Sequence, residues 1–151
     1  MTKLGRYSAD RKKIEAIADG ATKVVEVNEC GTIFTIAGGS GNGGGTITLP
    51  SISAAGKGWW CKFVLIDDNG STACTIAANS GDVDLIVAAV YGGLGDDSNS
   101  GTTVQNKAAD SITLVATKAL AGDTVEVICT GSKWLLQAFS TDGDAAITVT
   151  T

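Results

Sequence analysis

Few residues of this chain combine the types and spacing that catalysis or metal binding requires. Histidine, the commonest general base and metal ligand of proteins, is absent from all 151 residues. Four cysteines occur, at Cys30, Cys61, Cys74 and Cys129, but none forms a C-x-x-C pair and no histidine can complete a mixed site. The sequence therefore predicts no zinc site, no other metal and no cofactor.

Carboxylates are the remaining candidates for acid–base or cation chemistry. Asp67, Asp68, Asp82 and Asp84 can surround a hard cation if their loops converge, because calcium takes several oxygen ligands. Adjacent carboxylates on one turn do not face each other across a substrate, which argues against a glycosidase pair. Aspartate is also a common turn residue, and we interpret these four in that way.

Two glycine-rich segments match known ligand loops only in part. The run GGSGNGGG at 38–45 lacks the lysine of a phosphate-binding loop and leads into a strand pattern rather than a helix. The segment GGLGDD at 92–97 matches a calcium-binding nonapeptide once, whereas such sites need stacked copies. No G-x-S-x-G nucleophile motif is present. The sequence therefore predicts a protein that is not an enzyme.

Three of the eight aromatic residues are tryptophans, and two of them are adjacent. Neighbouring side chains on a strand point to opposite faces, so Trp59 and Trp60 cannot both face one core. One of them lies between packed sheets or at a protein contact, where tryptophan is enriched. We therefore take Trp59 and Trp60 as candidates for a subunit interface and place Trp134 in the core.

The formal charge of -5 is unevenly distributed. The first 13 residues carry five basic side chains and one acidic one, a net +4, so the rest of the chain carries -9. An acidic body repels nucleic acid and anionic lipid, and neither is predicted as a partner. No apolar run reaches the ~18 residues of a membrane span, and the segment after Met1 has no apolar signal-peptide core. Without export, the four thiols are expected to stay reduced and to pack as small buried hydrophobes.

The first twenty residues differ from the rest in composition. Ser8 can cap a short helix over 9–19, in which Ile14 and Ile17 recur at helical spacing, and Gly20 can end it. The apolar face of such a helix is too narrow for it to be stable alone. We predict two units, an N-terminal arm or short helix over 1–20 and a β-sandwich body over 21–151.

From residue 21 onward, β-branched and aromatic runs alternate with turn sequences. About ten short strands, almost without helix, predict an all-β fold, an antiparallel β-sandwich or barrel. Gly131-Ser132 predicts a two-residue hairpin turn, and Tyr91 to Asn106, rich in Gly, Asp, Ser and Asn, is the longest predicted loop. The predicted strands cover 24–27, 32–36, 46–49, 59–66, 72–77, 84–90, 111–116, 124–130, 133–139 and 146–149.

Short motifs also occur in a characteristic order along residues 21–149. They are KVVEV at 23–27, GTIFTI at 31–36, TITLP at 46–50, an aromatic β run after Gly56, DSITLV at 110–115, GSKW at 131–134 and AAITV at 145–149. This order resembles that of small β-rich virion proteins of tailed bacteriophages. Within that class, a chain of this length resembles a capsid decoration, or cement, protein.

The resemblance implies a structural protein of the virion that is assembled in the host cytoplasm and binds and stabilises the outer capsid surface. Such proteins contact the major capsid protein, often as homotrimers that bridge neighbouring capsomers. The N-terminal arm would then grip the capsid. The candidate contact residues in it are Arg6, Tyr7, Arg11, Lys12, Ile14 and Ile17. The resemblance does not explain the four cysteines.

A second function class stays open beside this one. The chain can instead be a receptor- or glycan-binding module of a phage tail fibre or an adhesin. The loop from Tyr91 to Asn106 and the tryptophans favour that hypothesis, because aromatic side chains can stack on sugar rings.

Overall fold

The computed structural model describes residues 12–38, 45–92, 104–141 and 146–151, and for 104–107 the backbone only. The described residues form twelve strands, and their inner faces enclose one core. The strands are β1 (Lys13–Ile17), β2 (Lys23–Val24), β3 (Thr32–Ile36), β4 (Gly45–Thr48), β5 (Trp60–Leu65), β6 (Cys74–Ala77), β7 (Ile86–Gly92), β8 (Val104–Ala109), β9 (Ser111–Leu114), β10 (Thr124–Cys129), β11 (Trp134–Ser140) and β12 (Ile147–Thr150). A 3₁₀ turn (Val27–Glu29) follows β2, and a short helix, α1 (Ile52–Ala55), follows β4.

The strands form two sheets. The seven-stranded sheet has the order β1-β3-β5-β10-β11-β7-β8, and the five-stranded sheet has the order β12-β9-β6-β4-β2. The predicted fold class, an all-β sandwich, is confirmed. The sheets are mixed rather than purely antiparallel, because five of the ten strand pairings in the described residues are parallel.

The parallel pairings follow from the path of the chain. From β1 to β6, successive strands alternate between the two sheets, so that β1, β3 and β5 are neighbours in one sheet and β2, β4 and β6 in the other. Between β1 and β3, for example, the chain crosses to the other sheet, forms β2 and crosses back. The next strand in the same sheet then runs in the same direction as the first, so the two pair in parallel. Hairpins occur later, at β7–β8 and at β10–β11.

The core lies between the two sheets and is built from the inward side chains of alternating strands. Phe34 of β3 stacks on Phe63 of β5, with ring centroids 5.2 Å apart. Trp59 meets Trp134 edge to face at 5.5 Å, and the Trp59 indole N–H donates to the Val27 carbonyl oxygen at 2.9 Å. These aromatic contacts fill the space between the sheets at native packing density. The prediction of Trp134 as a core residue is confirmed.

The predicted helix over 9–19 is wrong in its described part. Residues 13–17 form β1, which pairs in parallel with β3 at the edge of the seven-stranded sheet. Ile17 is buried there against the core, whereas Ile14 points away from it and is exposed. Edge pairing with β3 provides both backbone hydrogen bonds and a buried position for Ile17, whereas an isolated helix makes its own hydrogen bonds but buries nothing.

Three further sequence-based expectations concern particular segments. The hairpin around Gly131-Ser132 is confirmed, since β10 and β11 pair through it. The predicted loop from Tyr91 to Asn106 is wrong at its two ends, because β7 continues to Gly92 and β8 begins at Val104, and residues 93–103 lie outside the described residues. Cys61, Cys74 and Cys129 are buried as predicted, but Cys30 is exposed, because it follows the 3₁₀ turn rather than entering a strand.

Candidate functional site

The outward-facing side of the seven-stranded sheet, called here the outer face, is the main candidate site. Side chains alternate across a strand, so each strand that buries one set of residues presents the intervening set outward. The strand register groups these outward residues into three rows. The first row is Trp60, Ile128, Leu135 and Val87; the second is Ile14, Ile33, Lys62, Glu126, Gln137 and Ala89; the third is Ala16, Thr35, Val64, Thr124, Phe139 and Tyr91.

The outer face is unusually apolar for a surface in contact with solvent. Five of the nine exposed large hydrophobic residues in the described part of the chain lie on it, including Ile14 at 66% exposure and Phe139 at 49%. Phe139 also stacks on the exposed ring of Tyr91, with centroids 5.2 Å apart. Exposed apolar residues grouped on one face are typical of surfaces that contact another protein or a ligand.

The opposite surface of the sandwich has a different chemistry. Outward positions of the five-stranded sheet form a row of threonines, Thr46, Thr75, Thr113 and Thr148, which the strand register places side by side. Thr75 and Thr113 share a hydrogen bond of 3.1 Å between their hydroxyl groups. Polar outward residues are the ordinary pattern of a sheet with one solvated face. Of the exposed large hydrophobic residues in the described part of the chain, one, Val24, lies on this sheet, against five on the outer face.

One pair of opposite charges lies near the centre of the outer face. Lys62 of β5 and Glu126 of β10 are direct register partners. No ion pair within 4.0 Å joins these two residues. Both side chains are therefore free to pair with charges outside the chain.

A shallow, open recess of about 400 Å³ lies beside Trp60 on the same face. Its lining is Lys12, Ile33, Gly58, Trp60, Lys62, Glu126 and Ile128. The indole of Trp60 lies next to Gly31, where a side chain is absent and the backbone has φ +79°. A Cβ at Gly31 would lie 3.7 Å from the Trp60 ring, an ordinary contact distance, so the positive φ rather than the ring favours glycine at this position.

The predicted interface residues Trp59 and Trp60 lie on opposite sides of the sheet. Trp59 is buried in the core at 3% exposure, so its side chain is unavailable to a second subunit. Trp60 is half-buried on the outer face. The alternation argument thus holds, and of the two tryptophans only Trp60 has its side chain at the surface.

The predicted capsid-contact residues are divided in a similar way. Lys12 and Ile14 are exposed, whereas Ile17 is buried and its side chain is unavailable while β1 is paired. Arg6, Tyr7 and Arg11 lie outside the described residues.

The aspartates considered as a cation site occupy separate turns. The Asp82 carboxylate accepts from the Ile52 N–H at 2.7 Å, and the Asp68 carboxylate accepts from the Ala121 N–H at 2.9 Å. Among the residues that the structure describes, no group of three or more Asp, Glu or Cys side chains is arranged to hold a metal ion. Both hydrogen bonds connect an aspartate to a segment far along the chain, 30 residues away for Asp82 and 53 for Asp68.

Two buried polar clusters escaped the sequence analysis. In the first, the Lys23 ammonium donates to Glu15 at 2.7 Å and to Glu29 at 2.8 Å, and it lies 5.2 Å from the ring centroid of Phe34. Glu15 belongs to β1 and Lys23 to β2, the edge strands of the two sheets. This cluster therefore closes one side of the sandwich.

The charged cluster also changes the pKa values of Glu29 and Lys23. Burial raises the pKa of the Glu29 carboxyl, but the N–H of Glu26 and the Lys23 ammonium outweigh that effect and hold it below its ordinary value of 4.5. Burial lowers the pKa of Lys23, but hydrogen bonds and charges from Glu15 and Glu29 outweigh this and leave it raised above 10.5. All the charges are therefore paired at neutral pH.

The second cluster is centred on Asp123, which is fully buried. Its carboxylate accepts from the Thr141 N–H at 2.6 Å, the Thr141 hydroxyl at 2.9 Å, the Leu120 N–H at 3.2 Å and the Ser140 hydroxyl at 3.4 Å. It thereby ties the turn before β10 to the end of β11. The only available sign of it in the sequence is Gly122-Asp123, a common turn dipeptide that gives no indication of burial.

Comparison with known proteins identifies no relative. No protein-family model, no curated protein and no solved structure matches the chain. Within the described ranges, the structure contains no helix that is long and apolar enough to cross a membrane.

Proposed function

We propose that the chain is a non-enzymatic structural protein of a virion, a decoration protein that binds the outer capsid shell and stabilises it. The observation that carries this proposal is the apolar outer face, with Trp60, Ile128 and Leu135 in one continuous row. A rigid sandwich with such a face is suited to contact with other polypeptides. The assignment to a phage capsid comes from the motif order that resembles small virion proteins.

The N-terminal segment is the proposed contact with the major capsid protein. It is basic, whereas the remainder of the chain is acidic, and opposite charges can steer it toward an acidic surface. Strand β1 connects it to the body at the edge of the seven-stranded sheet. Many copies of a modest contact, each made only on the assembled shell, stabilise that shell by mass action.

The body is proposed to form a homo-oligomer. The resemblance implies a trimer, whereas the charge pattern of the outer face favours a pair of chains. In either arrangement the N-terminal segments of one oligomer reach several capsid subunits at once. Decoration of the outer surface needs neither nucleic acid nor a membrane as a partner, and it needs no cofactor.

Cryo-microscopy of heads from the virus that encodes the chain tests this proposal. We expect density of the size of the sandwich on the outer shell, and its loss when the chain is absent. Deletion of residues 2–11 should leave the body folded, since β1 begins at Lys13, and should reduce decoration. Deletion of 2–20 is a poorer test, because it removes β1 and Glu15 from the fold. Heads without the density, or a chain found only in the tail, would contradict the proposal.

A glycan-binding module of a tail fibre or adhesin is the second candidate, and the recess beside Trp60 favours it. An indole wall with Lys62 and Glu126 at its side offers stacking and hydrogen bonds to a sugar ring. Glycan-array binding that is lost in Trp60→Ala, together with absence from the head, would support this candidate over the first.

A further inference from the structure

We propose that two copies of the chain pack through their outer faces, related by a two-fold axis between β5 and β10, so that Lys62 of each copy pairs with Glu126 of the other. This proposal is independent of whether the assembly belongs to a virion. It rests on the strand register, on the positions of the charges and on the sizes of the facing side chains.

The register makes the charge pattern self-complementary. Lys62 and Glu126 are partners on adjacent strands, so an axis that runs along the strands midway between them exchanges their positions. Rotation by 180° about that axis places the outer face of a second copy over the first. Each lysine then lies opposite the glutamate of the other copy, which forms two equivalent ion pairs. This reciprocity is the property of an isologous interface.

The same rotation matches the neighbouring rows. Trp60 faces Ile128 of the second copy in the first row, which buries apolar surface on both sides of the charges. In the third row, Phe139 faces Thr35 and Tyr91 faces Ala16, so that the large aromatic side chains meet small ones. Alternation of large and small side chains permits two sheets to pack closely at ~10 Å with their strands ~30° apart.

The size of the outer face is sufficient for a stable pair. Its seven strands contain five to seven residues each. At ~4.8 Å between strands and ~3.3 Å per residue, the projected area is roughly 600 Å². A stable interface of standard size buries about 800 Å² of accessible surface per partner, and accessible surface exceeds projected area.

A second copy explains the charges better than a threefold arrangement does. A trimer uses two different patches that meet head to tail, so it requires no reciprocity within one patch. The outer face instead presents Lys62 and Glu126 side by side, a pattern that becomes reciprocal when the patch meets itself. Both charges gain a partner on association, which avoids the cost of burying an unpaired charge.

Analytical ultracentrifugation of the full chain tests the proposal with two charge reversals. We expect a mass of two chains for the native protein at micromolar concentration. K62E and E126K should each weaken the pair by about 100-fold or more, because every facing charge then meets one of the same sign. An equimolar mixture of the two variants should again give two-chain particles, since each copy now carries only charges that complement the other.

The mixture of K62E and E126K distinguishes loss of the interface from loss of the fold. Two folded variants form two-chain particles on mixing, whereas a misfolded variant stays unable to pair. Leu135→Glu, on the outer face, should give single chains, whereas the matched variant Thr148→Glu, on the opposite sheet, should stay paired. A native chain that is single at 100-micromolar concentration would overturn the proposal. So would a three-chain mass, or pairing that K62E and Leu135→Glu leave unchanged.

Discussion

The Nζ atom of Lys23 donates to the Glu29 carboxylate at 2.8 Å, at the side of the sandwich where the edge strands β1 and β2 meet. Glu29 has only 6% of its surface exposed. An ion pair with this degree of burial costs desolvation energy when it forms, but removal of one partner leaves a charge without compensation. The pair therefore adds little to the free energy of unfolding, but removal of one of its partners is expected to lower that free energy strongly.

Replacement of Lys23 by methionine is the first test of this relationship. We expect Lys23→Met to lower the free energy of unfolding by about 3 kcal/mol, because Glu29 keeps its buried charge without the ammonium. Urea denaturation at a fixed protein concentration measures this loss. Lys57→Met, at an exposed position, should change the free energy by less than about 0.5 kcal/mol. Equal effects of the two substitutions would contradict the role of the pair.

The pH dependence of stability gives a second prediction. Glu29 has a folded-state pKa below 4.5, so its contribution is complete above pH 4.5 and is lost as the pH falls through the folded value. We expect the free energy of unfolding of the native chain to decrease below pH 4.5. Glu29→Gln should be less stable at neutral pH but should show a smaller decrease in acid. An unchanged acid slope in this variant would assign the slope to other carboxylates.

Thiol accessibility gives a third prediction, which corrects the expectation that all four cysteines are buried. Burial raises the pKa of Cys74 to about 11 and also raises that of Cys61, whereas Cys30 is exposed. Because the thiolate is the reactive form, iodoacetamide should modify one thiol of the native chain at neutral pH. Intact mass measures this number, which should rise to four after denaturation. In the native Cys30→Ser variant, iodoacetamide should modify no thiol. Modification of any other cysteine in that variant would contradict the structure.

Asp123 gives a fourth prediction. Asp123→Ala removes the buried carboxylate that accepts from the N–H groups of Leu120 and Thr141 and from the Thr141 hydroxyl, and a hydrogen bond to a charged group contributes about 1.5–3 kcal/mol. We therefore expect the free energy of unfolding to fall by about 3 kcal/mol or more. Asp123→Asn, which keeps the shape and one acceptor oxygen, should lose less. Asp67→Ala, at an exposed turn position, is the matched control and should be nearly neutral.

Much of the β architecture is local in origin and could be predicted. Strand β3 alternates Thr32, Phe34 and Ile36 inward with Ile33 and Thr35 outward, and the period of two is visible in the sequence. The turn at Gly131-Ser132 lies between two β runs and produces the hairpin of β10 and β11. For these elements the residues themselves carry the pattern, and tertiary contacts agree with it.

The N-terminal segment shows where local patterns fail. Ile14 and Ile17 are three residues apart, which suits a helix face, yet they lie on opposite sides of β1. The edge of β3 supplies hydrogen bonds to β1, and the core accepts Ile17. Strand β3 begins fifteen residues after β1 ends. Local propensities therefore cannot predict that residues 13–17 pair with it.

The candidate site was likewise predictable in part, from local strand geometry, and otherwise depends on tertiary contacts. That Trp59 and Trp60 face opposite ways follows from strand geometry alone, but the core could accept either one. Trp59 is the buried residue because its indole reaches both Trp134 and the Val27 carbonyl oxygen. Likewise, the sequence contains Lys62 and Glu126, but only the pairing of β5 with β10 makes them neighbours.

The amino-acid sequence alone determined that the chain folds into a sandwich of short strands, since composition, alternation and turn residues act over a few positions. Tertiary structure decided which strands pair in parallel, that the N-terminal segment pairs with β3 as a strand, and which apolar residues remain outside the core. Those outcomes depend on contacts between residues far apart in the chain. When one face of a strand is buried, the residues of its other face stay at the surface. Only the arrangement of the two sheets decides which face that is.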